Sequence, residues 1–263
     1  MKIDIPIYIS LTSIYKNQNN LLQTLKSIII QTKQPNKIYL HLSEEEYILD
    51  SGFKDKKITN TKLLNFINNH PIIELVWIKN YGSFRKLLPL LKKKWNEDCI
   101  IITIDDDTIY DNNLIKNLVS DYNKHNCIIG YRGFTPEFNK IKDFDYNKRT
   151  KKKRKKYLYN FLTGKGGILY KPDFFYKTND LIFNQELYLK YCSKQDDIWF
   201  YLVRVLNNIP CYLGNKNWKN KNLESYGLFL NFNKKNNNNT VVFRTIFKIL
   251  EKNIGCNFIS PKK

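Results

Sequence analysis

Three adjacent aspartates, Asp105, Asp106 and Asp107, directly follow an isoleucine-rich stretch at residues 99–104. Neighbouring carboxylates repel one another, so this placement costs stability unless a cation or hydrogen-bond donors neutralise them. Open α/β sheets bind ligands at the carboxyl ends of their strands, and carboxylate oxygens are the ligands that Mg²⁺ and Mn²⁺ prefer. The pattern therefore predicts a divalent cation that holds a diphosphate. The alternative is a solvated turn that caps the next helix.

Two cations, Arg85 and Lys86, fall in the first turn of a predicted helix, just after the turn at Gly82. Positive charges at a helix N-terminus oppose the helix dipole, so an anion is expected at the same end. The alternative is a pair of ordinary solvated side chains. The position of this turn, between a predicted strand and the acidic strand, favours a ligand.

A pair of carboxylates, Asp196 and Asp197, opens a predicted amphipathic helix. One of them could serve as the general base that takes a proton from an acceptor hydroxyl. The alternative is an acidic pair that stabilises the N-terminus of the helix.

The stretch Gly164, Lys165, Gly166, Gly167 does not form a Walker phosphate loop. Tyr159 stands where that motif needs its first glycine, and Gly166 stands where a Ser or Thr must bind magnesium. The glycines instead predict a close approach of the backbone to a ligand, or a tight turn into the next strand. The three histidines have no metal-binding spacing.

Charge and cysteine content limit the classes of function. The 263 residues contain 44 Lys and Arg against 24 Asp and Glu, a net charge of +20, which suggests nucleic acid or an anionic membrane as a partner. However, the chain lacks alanine, is rich in residues with AT-rich codons, and has only six arginines, the preferred residue for bidentate phosphate contacts. Codon bias is therefore the favoured explanation, and a nucleic-acid partner is not expected.

The five cysteines have no CxxC pair, which argues against a disulfide framework or a zinc site and favours a reducing compartment. No apolar run approaches the ~18 residues of a membrane-spanning helix, and the N-terminus lacks a signal-peptide pattern. We therefore expect a cytoplasmic protein, with peripheral contact to the cytoplasmic face of a membrane as an option.

The order of the predicted elements indicates a mostly parallel α/β sheet flanked by helices. Strands are predicted over residues 5–11, 37–42, 72–78, 99–104, 127–130 and 166–170. Helices are predicted over residues 19–32, 63–67, 84–95, from 111 onward, 180–192, 196–207 and 240–252. Residues 1–214 are expected to form one catalytic domain, and residues 215–263 a C-terminal extension with a flexible asparagine-rich loop at 236–239 and a helix.

In this order the motifs resemble those of nucleotide-sugar glycosyltransferases with the GT-A (Rossmann-like) fold, closest to the glycosyltransferase family 2-like group. The resemblance covers roughly residues 5–213 and leaves the tail unmatched. It rests on residues 7–13, the strand at 38–40 after Pro35, residues 82–88, and Gly166 with Gly167. Asp105 to Asp107 match the DxD motif, and Asp196 with Asp197 occupy the position of the family's ED-type motif.

The resemblance implies transfer of a sugar from a nucleoside diphosphate, usually UDP, to an acceptor hydroxyl with inversion and with Mn²⁺ or Mg²⁺ as cofactor. Asp107 and Asp105 would hold the metal, and Asp105 would also lie near the ribose. Asp197 would be the base, with Asp196 in the position usually held by Glu, and the choice between the two stays open. The remaining residues expected to bind the donor are Thr12, Ser13, Arg85, Lys86, Asp106, Gly166 and Gly167.

Two rival functions remain. A sugar nucleotidyltransferase would need a Gly- and Lys-rich signature near the first strand, which is absent after Ser10. A nucleic-acid-binding protein would use the basic segment 151–156 with the aromatic residues Tyr157, Tyr159 and Phe161. We expect this segment instead to be a mobile lid, an acceptor-side loop, or a contact with anionic membrane. The expected partners are a nucleotide sugar and a glycan, lipid-linked or protein acceptor.

Overall fold

An eight-stranded sheet lies at the centre of the protein. The computed structural model describes residues 5–150, 155–214, 220–224, 238–252, 255–256 and 258. The strands of the large sheet are β1 (Ile7–Thr12), β2 (Lys37–Leu42), β3 (Ile73–Trp77), β4 (Ile100–Thr103), β6 (Ile128–Gly130), β8 (Lys156–Tyr157), β10 (Ile168–Tyr170) and β11 (Cys211–Leu213). Two small sheets pair β5 (Thr108–Ile109) with β12 (Lys221–Asn222) and β7 (Gly133–Phe134) with β9 (Phe161–Leu162).

Helices flank the large sheet. In the described residues these are α1 (Gln18–Ile29), α2 (Thr61–Asn68), α3 (Leu88–Lys93), α4 (Leu114–His125), α5 (Asn179–Ile182), α6 (Gln185–Cys192), α7 (Asp196–Leu206) and α8 (Asn238–Lys252).

The strand order is β3–β2–β1–β4–β10–β6–β11–β8. The run β3–β2–β1–β4 is parallel throughout, and β11 is parallel to β6. Strand β10 is antiparallel to both of its neighbours, and β8 is antiparallel to β11. The expected α/β architecture with a mostly parallel sheet is therefore confirmed.

The central strand β4 explains why the acidic triplet is held in place. Its residues Ile100, Ile101 and Ile102 are buried, as expected for a parallel strand that is covered on both faces. In the pairing of β1 with β4, which is parallel, Ser10 lies opposite Thr103, the last residue of β4, and β1 continues to Thr12 at the same edge of the sheet. The residues that follow both strands therefore meet at one edge.

The helix predicted over residues 84–95 is wrong in its first half. Residues Gly82–Lys86 form a 3₁₀ turn, and α3 begins only at Leu88. Pro89 is the reason, because in a continuous α-helix its ring would clash with the carbonyl of Arg85. Proline is well accommodated in the first turn of a helix, which is where α3 holds it. The break leaves Arg85 and Lys86 in a compact turn.

The C-terminal helix α8 packs against the rest of the molecule. Phe243, Ile246, Phe247 and Leu250 form its buried face. The tract at 236–239, predicted to be a loop, is helical in its second half, because Asn238 and Asn239 open α8. Its first half lies outside the described residues. The boundary between domain and extension at residue 214 stays a prediction.

The basic segment 151–156 is described only in part, since residues 151–154 lie outside the described residues. Lys156 belongs to β8, where its Nζ donates a hydrogen bond to the carbonyl of His125 at 2.7 Å. No helix within the described ranges has the length and apolar character needed to cross a bilayer.

Candidate functional site

One cavity of about 440 Å³ opens where β1 and β4 end. It lies at the carboxyl edge of parallel strands, the position where α/β sheets bind ligands. The segments of its wall that carry predicted site residues are the residues after β1, those after β4, the 3₁₀ turn before α3 and the start of α7. The segment after β2, the turn after β9 and the first turn of α8 also contribute.

Most of the residues predicted from the sequence line this cavity. They are Thr12, Ser13, Arg85, Lys86, Asp105, Asp106, Asp107, Asp196 and Asp197. Gly166 and Gly167 do not line it, whereas the preceding Gly164 and Lys165 do. Gly167 has a φ of +76°, and a Cβ there would lie 3.4 Å from Leu114 of α4, so this glycine serves the turn into β10.

The three aspartates of the acidic triplet have two kinds of partner. The Asp106 carboxylate accepts hydrogen bonds from the Ser13 hydroxyl and, at 3.1 Å, from Asn17 Nδ2. Burial raises the pKa of Asp106 to about 7. Asp105 and Asp107 instead meet lysines, with Lys86 Nζ 3.2 Å from Asp105 Oδ1 and Lys165 Nζ 3.0 Å from Asp107 Oδ2. Two of the three carboxylates are thus paired with lysines, whereas Asp106 is held by neutral hydrogen-bond donors.

Lys86 connects the acidic triplet to the acidic pair. Its Nζ is also 3.0 Å from Asp196 Oδ2, and Asp196 Oδ1 accepts a hydrogen bond from the Ser83 hydroxyl at 2.7 Å. Although burial opposes it, the charges of Asp105, Asp196 and Asp197 raise the pKa of Lys86 well above its ordinary value. The anion expected near the cations of this turn is therefore supplied, at least in part, by the chain itself.

The two carboxylates at the start of α7 have different surroundings. Asp196 is buried and held by Lys86 and Ser83. Asp197 is less buried, and its Oδ1 accepts a hydrogen bond from the Gly164 N–H at 3.1 Å. Burial, followed by the neighbouring charge of Asp196, raises the pKa of Asp197 to about 7. A carboxylate in this state is suited to accept a proton near neutral pH.

A buried ion pair fixes the other side of the cavity. Arg85 Nη2 lies 2.9 Å from Asp50 Oδ2, and their side chains are 1% and 2% exposed. Asp50 also accepts hydrogen bonds from the backbone N–H groups of Tyr15 and Gly52, and from Asn80 Nδ2. This carboxylate joins the segment after β2 to the segment after β1 and to the turn before α3.

Several buried polar atoms on the cavity wall have no hydrogen-bond partner among the described residues. They are Asn17 Oδ1, Arg85 Nη1, Thr163 Oγ1 and Asn239 Oδ1. Burying such groups without a partner costs free energy. Their concentration on one cavity indicates a polar ligand that would supply the missing hydrogen bonds.

The donor set fits a divalent cation that arrives with a nucleotide, and not a permanently caged ion. In the described ranges no three His, Cys, Asp or Glu side chains form a cluster that could hold a metal. Asp105 and Asp107 supply hard oxygen ligands from one cavity wall. Mg²⁺ is commonly held by one or two carboxylates together with substrate phosphates. The two carboxylates therefore match a metal shared with a diphosphate.

Some cavity residues carried no recognisable signal in the sequence. Asp50, Asn17, Tyr146, Thr163, Lys165 and Asn239 line the cavity but were not predicted as site residues. Only Lys165 had a hint, because it stands within the glycine-rich stretch.

No family model matches this chain, and no curated protein sequence matches it significantly. Solved structures do match in fold. A crystal structure of S. aureus TarS residues 1–349 aligns with a TM-score of 0.53 and 15% identity, over 81% of this chain and 59% of TarS 1–349. Thus the chain spans less than two thirds of that structure.

Two related crystal structures contain ligands. The complex of TarS 1–349 with UDP aligns with a TM-score of 0.53 and 13% identity, over 94% of this chain and 72% of the other. The complex with UDP-GlcNAc aligns with a TM-score of 0.52 and 12% identity, over 85% and 60%. TarS is a GT-A-type glycosyltransferase. These likenesses, together with the mostly parallel eight-stranded sheet, show that the chain has the GT-A glycosyltransferase fold.

Proposed function

We propose that this protein is a glycosyltransferase that moves a sugar from a nucleoside diphosphate, specifically a UDP-sugar, to an acceptor hydroxyl. One observation carries the proposal: two carboxylates, two lysines and a candidate base converge in one cavity at the carboxyl edge of the sheet. The likeness in fold to TarS structures that contain UDP and UDP-GlcNAc supports the choice of donor.

The diphosphate would lie beside Asp105, Asp107, Lys86 and Lys165. The lysine ammonium groups supply positive charge to phosphate oxygens. Asp105 and Asp107 would hold Mn²⁺ or Mg²⁺, which when bound offsets the negative charge that develops on the departing diphosphate. The two lysines neutralise the carboxylates while the cavity is free of ligand and turn toward the phosphates when the donor binds.

The acceptor hydroxyl would bind next to Asp197. Its carboxylate takes the hydroxyl proton while the oxygen attacks the anomeric carbon, and the bond from that carbon to the diphosphate breaks. Attack from the face opposite the leaving group inverts the configuration. Asp196 is engaged by Lys86 and Ser83 and acts as a positioning residue, so we assign the base to Asp197.

Binding of the donor is tested by melting the protein with UDP, GDP and UDP-GlcNAc, each with and without Mn²⁺. A ligand at 100 times its Kd adds about 2.7 kcal/mol to the stability of the folded state. For a chain of this size that amounts to roughly 5–10 °C in Tm. We expect UDP with Mn²⁺ to raise the Tm by this amount, GDP to raise it less, and Asp107→Asn to remove the Mn²⁺-dependent part. No shift with either UDP ligand would contradict the proposed donor.

Lys165 should compete with the metal for Asp107. We expect Lys165→Met to strengthen binding of Mn²⁺ to the nucleotide-free protein roughly fivefold, about 1 kcal/mol, the upper range for a partly exposed ion pair. The free Mn²⁺ concentration can be followed by electron paramagnetic resonance during a titration. Lys177→Met, which changes an exposed lysine outside the cavity, is the control and should leave the affinity unchanged. Weaker Mn²⁺ binding by Lys165→Met would contradict the assignment.

A further inference from the structure

Asn239 stands apart from the other cavity residues because it comes from the C-terminal helix α8. Asn239 is 7% exposed, and its Oδ1 has no hydrogen-bond partner among the described residues. Thr163 Oγ1, on the turn before Gly164, is also a buried atom without a hydrogen-bond partner among the described residues. Both residues line the cavity to which Asp197 also belongs.

The first turn of α8 is held firmly at the cavity. Thr240 Oγ1 accepts a hydrogen bond from the backbone N–H of Tyr146 at 3.0 Å, and Arg244 Nε donates one to the carbonyl of Phe144 at 3.2 Å. The ring of Phe243 stacks on Phe144 with centroids 3.9 Å apart and packs 5.8 Å from Tyr201 of α7. Since α7 also carries Asp197 at its start, α8 and the candidate base share one rigid support.

Tyr146 connects Asn239 to the cavity wall. Its side chain is hydrogen-bonded to Asn239 and lines the cavity. Burial, followed by the charge of Asp197, raises the pKa of Tyr146, so its hydroxyl stays protonated. Helix α8, which carries Asn239, packs against α7, whose first turn carries Asp197.

The unpartnered atom restricts the chemistry of its ligand. An amide oxygen is only an acceptor, so its partner must carry a hydrogen. A fully ionised diphosphate has no such hydrogen and cannot satisfy it. Ammonium and guanidinium groups would also satisfy it, but a nucleotide sugar and an acceptor hydroxyl, the ligands of the proposed function, carry neither group. A neutral hydroxyl satisfies Asn239 Oδ1 without adding charge, and Thr163 Oγ1 is a second unpartnered atom that a hydroxyl could bond.

We propose that Asn239, presented by α8, binds a hydroxyl group of a sugar ring beside Asp197 and so contributes to the choice of sugar. The inference rests on the proposed function, because the sugar is either the one transferred or part of the acceptor. The C-terminal helix thereby completes the sugar-binding half of the cavity.

The donor arm of the test compares UDP-GlcNAc with UDP by isothermal titration. If the hydroxyl belongs to the donor, Asn239→Ala lowers the affinity for UDP-GlcNAc about tenfold, which is the size expected for one neutral hydrogen bond. The affinity for UDP is unchanged. Asn239→Asp keeps an acceptor oxygen, so its ratio of the UDP-GlcNAc affinity to the UDP affinity should return most of the way to the wild-type value. Asn238→Ala, an adjacent asparagine outside the cavity wall, should keep the wild-type ratio. A ratio of affinities does not change when a variant is merely less stable.

The acceptor arm uses methyl β-glycosides of glucose and N-acetylglucosamine with UDP-saturated protein. If the hydroxyl belongs to the acceptor, Asn239→Ala binds the glycoside about tenfold more weakly by NMR titration, and both nucleotide affinities stay unchanged. Asn239→Ala that equals the wild type in both arms would overturn this inference alone. A wild-type protein that binds neither UDP nor UDP-GlcNAc would overturn the proposed function and this inference together.

Discussion

Replacement of Asp197 by Asn should lower kcat for sugar transfer by about 10²–10⁴-fold, the range that a positioned general base contributes. Asparagine has nearly the same shape and can still accept the hydrogen bond from the Gly164 N–H. The UDP-sugar contacts proposed here involve other residues, so the affinity for UDP should change little. The measurement is a rate of UDP release with acceptor present, together with a titration of UDP.

The pH dependence of kcat/KM gives a second view of the same carboxylate. Burial raises the pKa of Asp197 above the ordinary value for an aspartate. Transfer needs the deprotonated form, so activity should be complete above this pKa and fall as pH decreases through it. We therefore expect an acid limb near neutral pH, well above pH 4, in the free enzyme.

Asp196→Asn is the matched control for this assignment. The charge of Asp196 helps to raise the pKa of Asp197, so its removal should move the acid limb to lower pH while an acid limb persists. In Asp197→Asn the limb should disappear from the residual activity. If Asp197→Asn kept near wild-type kcat and Asp196→Asn lost it, the roles of the two carboxylates would be reversed.

The acidic triplet shows what the sequence predicts well. An isoleucine-rich run ending in three aspartates places them at the carboxyl edge of a buried strand, and β4 ends there at Thr103. The sequence could not show which carboxylate is held by the residues that follow β1. It is Asp106, because Ser13 and Asn17, about 90 positions earlier, supply its hydrogen bonds, and β1 lies beside β4 only in the folded sheet.

Residues that meet only through tertiary packing were missed. Lys165 reaches Asp107 across 58 positions of the sequence, and Asn239 enters the cavity from a helix that the family resemblance left unmatched. Neither has a local pattern that marks it, since an isolated lysine or asparagine is normally solvated. The break before α3, by contrast, could have been predicted, because Pro89 forbids an α-helix that runs through Arg85.

The largest expected loss of stability comes from the ion pair between Asp50 and Arg85. Asp50→Asn should lower the free energy of unfolding by about 3–5 kcal/mol, the usual consequence of removing one partner of a buried pair. An amide at this position offers one acceptor oxygen in place of two, whereas Asp50 receives four hydrogen bonds. Burial already lowers the pKa of Arg85, which shows how costly its charge is there.

Urea unfolding of two further variants separates the cost of a buried unpaired charge from other effects of Asp50→Asn on the free energy of unfolding. Glu74→Gln removes a carboxylate that pairs with the partly exposed Lys37 and Lys93, and it should cost less than about 1 kcal/mol. The double variant Asp50→Asn with Arg85→Met removes both charges, so it should recover part of the loss. If Asp50→Asn cost no more than Glu74→Gln, the pair would contribute nothing beyond a surface contact. The three segments that meet at Asp50 would then be held by their backbone contacts alone.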